Sequence, residues 1–272
     1  MTCSLANLGS CLPEMFFNSL LDIFNAPLQS YLTQIQTFLS EPPNIAIFLG
    51  VWSIIVYILS MFYGLLLVYS GINLMVSGYS PQKREEAKSW LKNVIIMMAL
   101  VQSSFLIYTL ILDVNTALTS SIFNLIDPNV FLLNMGNFLN FGSSIISTCV
   151  YLNVLIFTVF VLVTRYLIVA FGVVLFPLGI FMYFIIPLRS YGKAIIGFLL
   201  LNIFGSFFAS LIILMGTLIV PENVFLGTNF LALSTVFFLA DVLLIYLLVH
   251  TIFSMRRVKK TATTIVKVVG SV

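Results

Sequence analysis

Arg165 and Asp241 are charged residues standing inside long stretches of Leu, Ile, Phe and Val. If those stretches cross a bilayer, an arginine near its centre costs between ~2.5 and ~17 kcal/mol, depending on how the cost is measured. Such a group persists only when it is paired or faces water. Three readings are open: an ion pair between Arg165 and Asp241 that locks two helices, a polar path lined by one or both, or a side chain that snorkels to the surface. Pro177 stands in the same stretch as Arg165 and removes a backbone donor, so it predicts a helix kink, with a hinge as the other reading. The single histidine, His250, excludes zinc motifs built on a histidine pair; it reads as an interfacial residue or, alternatively, a proton carrier. There is no Gly-rich phosphate loop, no Gly-x-Ser-x-Gly and no carboxylate pair at helical spacing. The expectation is a protein that is not an enzyme, with no catalytic residues, metal or cofactor.

Composition explains why these charges are so isolated. Hydrophobic residues make up 61% of the 272 and charged residues only 8%, against about 25% in soluble domains. All the lysines and arginines except Arg165 fall into three clusters. Lys83, Arg84, Lys88 and Lys92 form the first, Arg189 and Lys193 the second, and Arg256, Arg257, Lys259, Lys260 and Lys267 the third. By the positive-inside rule all three lie in the cytoplasm. The third is a basic tail beside anionic lipid, or a docking site for a cytoplasmic partner.

The expected fold is all-α, a polytopic transmembrane helix bundle with long spans. Residues 45–253 form the bundle, and the uncharged run from Ile45 to Val76 would be roughly 48 Å long as a helix, more than the ~30 Å hydrocarbon core. Ser80 and Pro81 have the pattern of a helix N-cap and N1. The helix they open is expected to enter the membrane near Asn93 and leave near Asn115. Residues 116–145 read as an external loop. The run from Ile146 to Pro187 is roughly 63 Å as one helix, so it is tilted, kinked or partly re-entrant. A five-crossing topology with the N-terminus outside and the C-terminus in the cytoplasm satisfies the charge pattern. A six-crossing alternative breaks the run at Arg165. Gly64, Gly71, Gly197 and Gly205 could allow close helix approach.

Residues 1–44 carry no Lys or Arg and no secretory signal pattern. From Pro13 to Leu39, apolar residues recur at three and four, with Gln29, Thr33, Gln34 and Gln36 on much of the other face. This predicts an amphipathic helix interrupted near Pro27, lying on the outer surface or packed as a lid on the bundle. Cys3 and Cys11 would then be outside, where a disulfide can persist; Cys149 reads as a small hydrophobe. Residues 254–272 are the cytoplasmic basic tail.

Two segments carry a family resemblance. GINLMVSGYSPQKREEAKSWLKNVIIMMALVQSSF, from Gly71 to Phe105, joins a Gly-containing span through a basic turn to a helix with Lys-x-x-Leu-Lys-Asn. RYLIVAFGVVLFPLGIFMYFIIPLRSYGKAIIGFLLLN, from Arg165 to Asn202, has Pro-Leu in an apolar helix, then a second proline, a basic residue and another span. Together they resemble the TrbL-type polytopic inner-membrane component of type IV secretion and conjugative DNA-transfer machines. The opening NLGSCLPEMFFNSLLDIFNAPL looks like an archaeal branch of such proteins. The resemblance implies an oligomeric, non-catalytic channel or platform subunit in the cell membrane, contacting lipid and moving DNA or protein. Its implied partners are a secretion ATPase, pilin-like subunits and DNA in transit. From the residues alone, a small-molecule or ion transporter with a polar site at Arg165 and Asp241, and a scaffold with no conduit, remain the alternatives.

Overall fold

A computed structural model of the chain describes residues 8–132, 141–219 and 231–250. Every regular element among them is helical: α1 (Leu8–Ser40), α2 (Leu49–Val76), α3 (Pro81–Gln102), α4 (Ser104–Phe123), α5 (Phe141–Phe184), α6 (Arg189–Ile219) and α7 (Leu231–His250). Five stretches are long and apolar enough to cross a bilayer: Ile45–Val76, Ser104–Phe123, Ile146–Phe184, Ile186–Ile219 and Leu231–His250. That is the number expected from charge placement.

Ser80 caps α3 as its sequence requires. Its hydroxyl accepts from the Lys83 amide at 3.4 Å, and Pro81 occupies the first turn, where no amide partner is needed. The second span differs from expectation. The helix pauses at Ser103, whose hydroxyl and amide both reach the Ala99 carbonyl, at 2.8 and 3.0 Å. A serine that bonds its own backbone competes with the regular ladder. The apolar span starts at Ser104 and continues past Asn115 to Phe123, inside the stretch expected to be an external loop. In that stretch the chain then forms a short 3-10 turn at Pro128–Phe131, and α5 begins at Phe141.

The chain divides into two compact units. The first comprises Met1–Glu41, Thr116–Thr164 and Ser206–Ile245. Its core joins Leu28, Ile35 and Leu39 of α1 to Tyr151, Leu155 and Leu162 of α5, Ala209 and Ile213 of α6, and Leu233, Phe237 and Ala240 of α7. The apolar stripe of α1 is thus packed into a helical core, which fits the lid reading. α1 also runs without interruption through Pro27. One lost backbone bond is outweighed where the following turns are anchored, and Leu28, directly after the proline, is fully buried.

The second unit comprises Pro42–Asn115, Arg165–Gly205 and Tyr246–Val272. Its core is built from Val56, Leu59 and Tyr63 of α2, Val94, Met97 and Val101 of α3, Tyr108 and Leu112 of α4, and Val169, Val173 and Phe176 of α5 with Leu199 and Ile203 of α6. The buried residues of α2, Val56, Leu59, Tyr63 and Ser70, recur at three and four and so form one stripe. Much of the rest of that helix is apolar and exposed, including Ile54, Tyr57, Met61, Leu65, Val68 and Ile72.

α5 passes through Arg165 and Pro177 as one helix, so the chain is not broken at Arg165 as a sixth crossing would need. Close packing uses glycines other than Gly64, Gly71 and Gly197. A Cβ on Gly64, Gly71 or Gly197 would meet nothing within 4 Å. On Gly172 it would strike the Tyr108 hydroxyl and Leu199 Cδ2, on Gly192 the Tyr183 backbone, and on Gly216 the Val236 side chain.

Candidate functional site

In the second unit, Arg165 projects from α5 towards α6 and is only 7% exposed. Its Nε donates to the Asn202 carbonyl at 2.7 Å and its Nη2 to the Ile203 carbonyl at 2.9 Å. A guanidinium is a rigid fork of donors, so two successive carbonyls on one helix face can take both prongs. The Asn202 side chain donates in turn to the Phe198 carbonyl at 2.8 Å. On the next turn of α5, the buried Tyr108 hydroxyl of α4 donates to the Val169 carbonyl at 2.6 Å. The tyrosine reaches that carbonyl because Gly172 presents no side chain in its way. α4, α5 and α6 are therefore cross-linked by polar bonds to backbone rather than by a carboxylate.

In the first unit, Asp241 of α7 is fully buried. Its Oδ2 lies 2.8 Å from Thr158 Oγ1 on α5, and its Oδ1 has no hydrogen-bond partner. Thr158 Oγ1 is also 3.0 Å from the Val154 carbonyl of its own helix. Arg165 and Asp241 thus belong to different units, and each finds its hydrogen bonds inside its own. Of their partners, Asn202 is the only one with a visible sequence cue, a polar residue inside an apolar span. Tyr108, Thr158 and Gly172 carry no such cue.

The first two basic clusters are brought together in the second unit. Gln82, Glu85, Glu86, Lys88, Ser89, Trp90 and Asn93 of α3 line an open groove of about 710 Å³ with Ile186 from the turn before α6. Lys83, Arg84, Lys88, Lys92, Arg189 and Lys193 are all exposed. The Arg189 guanidinium sits over the Tyr183 ring, 5.2 Å from its centroid, a cation–π arrangement. The turn before α6 thus lies beside the basic first turns of α3. Trp90 packs edge-on against Tyr69 at 6.2 Å, while its indole N–H has no partner.

His250 is the last described residue of α7, exposed and with its ring centroid 5.7 Å from that of Tyr246. Cys149 is exposed, with a free thiol. The basic tail residues Arg256, Arg257, Lys259 and Lys260, and the Cys3–Cys11 pairing, lie outside the described residues. Among the described residues, no three His, Cys, Asp or Glu side chains come together as metal ligands would.

Residues 33–111 match the family model described as type IV secretion system pilin. The matched segment runs from the end of α1 through α2 and α3 into α4. It contains the first basic turn and the whole of the first segment on which the resemblance rested. No curated protein and no solved structure matches the chain. The match supports a component of a type IV secretion system. With five candidate spans, the chain is a multi-pass membrane protein.

Proposed function

We propose that this protein is a non-catalytic channel or platform subunit of a type IV secretion-like machine, of the TrbL-type polytopic class, embedded in the cell membrane with its basic turns in the cytoplasm. It assembles with copies of itself and with a cytoplasmic secretion ATPase and pilin-like subunits, and DNA or protein crosses the membrane at that assembly. The observation carrying this reading is the coincidence of the matched residues 33–111 with the helices that have most unpartnered surface. α2 is the least buried of the five candidate spans. A helix apolar on every face and packed along a single stripe leaves most of its circumference for lipid or for like helices. The exposed basic turns of the second unit supply a face for an acidic or nucleotide-driven partner.

Purification from native membranes in mild detergent, with mass spectrometry of what accompanies the chain, tests this. The expected result is a large complex containing a secretion ATPase and a pilin-like subunit. Recovery as a lone small oligomer in several mild detergents would overturn it, and solute flux in liposomes, with and without Arg165→Ala, would then test the transporter.

A further inference from the structure

The first unit contains no lysine, arginine or histidine anywhere in its three segments. Asp241 is fully buried there, one carboxyl oxygen has no partner, and the other faces a threonine hydroxyl. An ionised carboxylate in that position would be an uncompensated buried charge. The elements around it supply no compensation. α5 up to Thr164 offers only Tyr151 and the exposed Cys149, α6 from Ser206 to Ile219 has no titratable group, and α7 carries, besides Asp241, only Tyr246 and His250, both exposed and past the end of this unit at Ile245. α1 carries Glu14, the exposed Asp22 and the half-buried Tyr31, and the segment after α4 brings the exposed Asp127, none of them a cation. Arg165, two turns beyond Thr158 along α5, has its donors on the Asn202 and Ile203 carbonyls.

The threonine supplies a second, independent argument. Its hydroxyl has one proton but stands at hydrogen-bond distance from two oxygens, Val154 O at 3.0 Å and Asp241 Oδ2 at 2.8 Å. With an ionised Asp241, both neighbours are acceptors and compete for that single proton. With a protonated Asp241, the carboxyl O–H donates to Thr158 Oγ1, and the Thr158 hydroxyl donates to the Val154 carbonyl. Each contact then has its own hydrogen.

We propose that Asp241 is an intramembrane proton-binding site, held as a neutral carboxylic acid by Thr158 and by the absence of any cation in its unit. The ligand is a proton. Losing it places an anion between α5 and α7 with nothing in that unit to balance it, so proton occupancy is coupled to the docking of those two helices. The site stands independently of the secretion reading.

Infrared spectroscopy of the full chain reconstituted in lipid bilayers at neutral pH tests this, as the difference between the protein and Asp241→Asn. The expected difference contains a protonated-carboxyl C=O stretch that shifts in deuterated buffer. In Thr158→Val that stretch should move to higher frequency, because the acid has lost its acceptor, and Thr158→Ser should restore it. A difference containing carboxylate bands alone, whether or not sodium perturbs them, would overturn the proposal; an unmoved stretch in Thr158→Val would remove Thr158 from it. If Asp241→Asn does not fold, labelling of the unaltered protein with dicyclohexylcarbodiimide, which attacks protonated carboxyls in apolar surroundings, replaces the comparison. An adduct on Asp241 at neutral pH supports the site, and no adduct, or one confined to strongly acid buffer, overturns it.

Discussion

Arg165 is satisfied by two helix carbonyls, so its contribution is the pair of bonds it makes to α6. Hydrogen bonds to charged groups contribute about 1.5–3 kcal/mol each. Arg165→Ala is expected to cost ~3 kcal/mol, read as a lower unfolding midpoint in detergent. Arg165→Lys should recover less than half, because an ammonium cannot present the fork. Gly172→Ala places a methyl against the Tyr108 hydroxyl and Leu199, and overpacking of this kind costs ~1–3 kcal/mol. Tyr108→Phe should relieve part of that cost, so a double-mutant cycle will show coupling between the two positions; strict additivity would mean that they do not touch. Sequence marked Arg165 and Asp241 as exceptional because charge is rare in apolar runs. It could not name their partners, since a backbone carbonyl has no letter of its own and Thr158 and Tyr108 look like ordinary residues of a membrane helix.

At the level of elements, α1 tests how firmly the opening segment belongs to the core. Leu28 is fully buried beside Pro27, and truncating a buried leucine costs about 2–5 kcal/mol. Leu28→Ala is expected to loosen α1 first, so limited proteolysis should cut near residues 22–30 while the second unit stays resistant. Uniform destabilisation would show instead that α1 is integral to the whole fold. Ser80→Ala removes the cap of α3 and should cost about 1 kcal/mol, visible as faster amide exchange over Lys83 and Arg84. Period and capping made these helices legible in advance, including the start of α3. The pause at Ser103 was not legible, because serine is common inside membrane helices and only its geometry reveals the bond to Ala99. Nor was continuity through Pro27, which depends on tertiary anchoring rather than on the proline itself.

For the molecule as a whole, glycines with open space matter as much as crowded ones. Gly64 and Gly71 lie seven residues apart on α2, and a Cβ added at either would meet nothing within 4 Å. Gly64→Leu and Gly71→Leu are expected to leave the unfolding midpoint unchanged while reducing cross-linking between copies in native membranes; unchanged cross-linking would move the interface off this helix. Charge clusters and hydropathy made the number of spans readable. The division of the chain into two units was not, because α4, α5, α6 and α7 each contribute to both and no composition change marks the boundary. The length of α5 has a further consequence for the lipid around it. The apolar part, Ile146–Phe184, has 39 residues and is roughly 58 Å long, about twice the thickness of the hydrocarbon core. Tilts of transmembrane helices reach about 40°, which shortens such a helix to roughly 45 Å across the membrane. The surplus is hydrophobic mismatch: the leaflets must stretch around each isolated copy. Neighbouring copies share that elastic strain, so thin bilayers of short-chain lipid should herd the protein into clusters and thick ones should let it disperse.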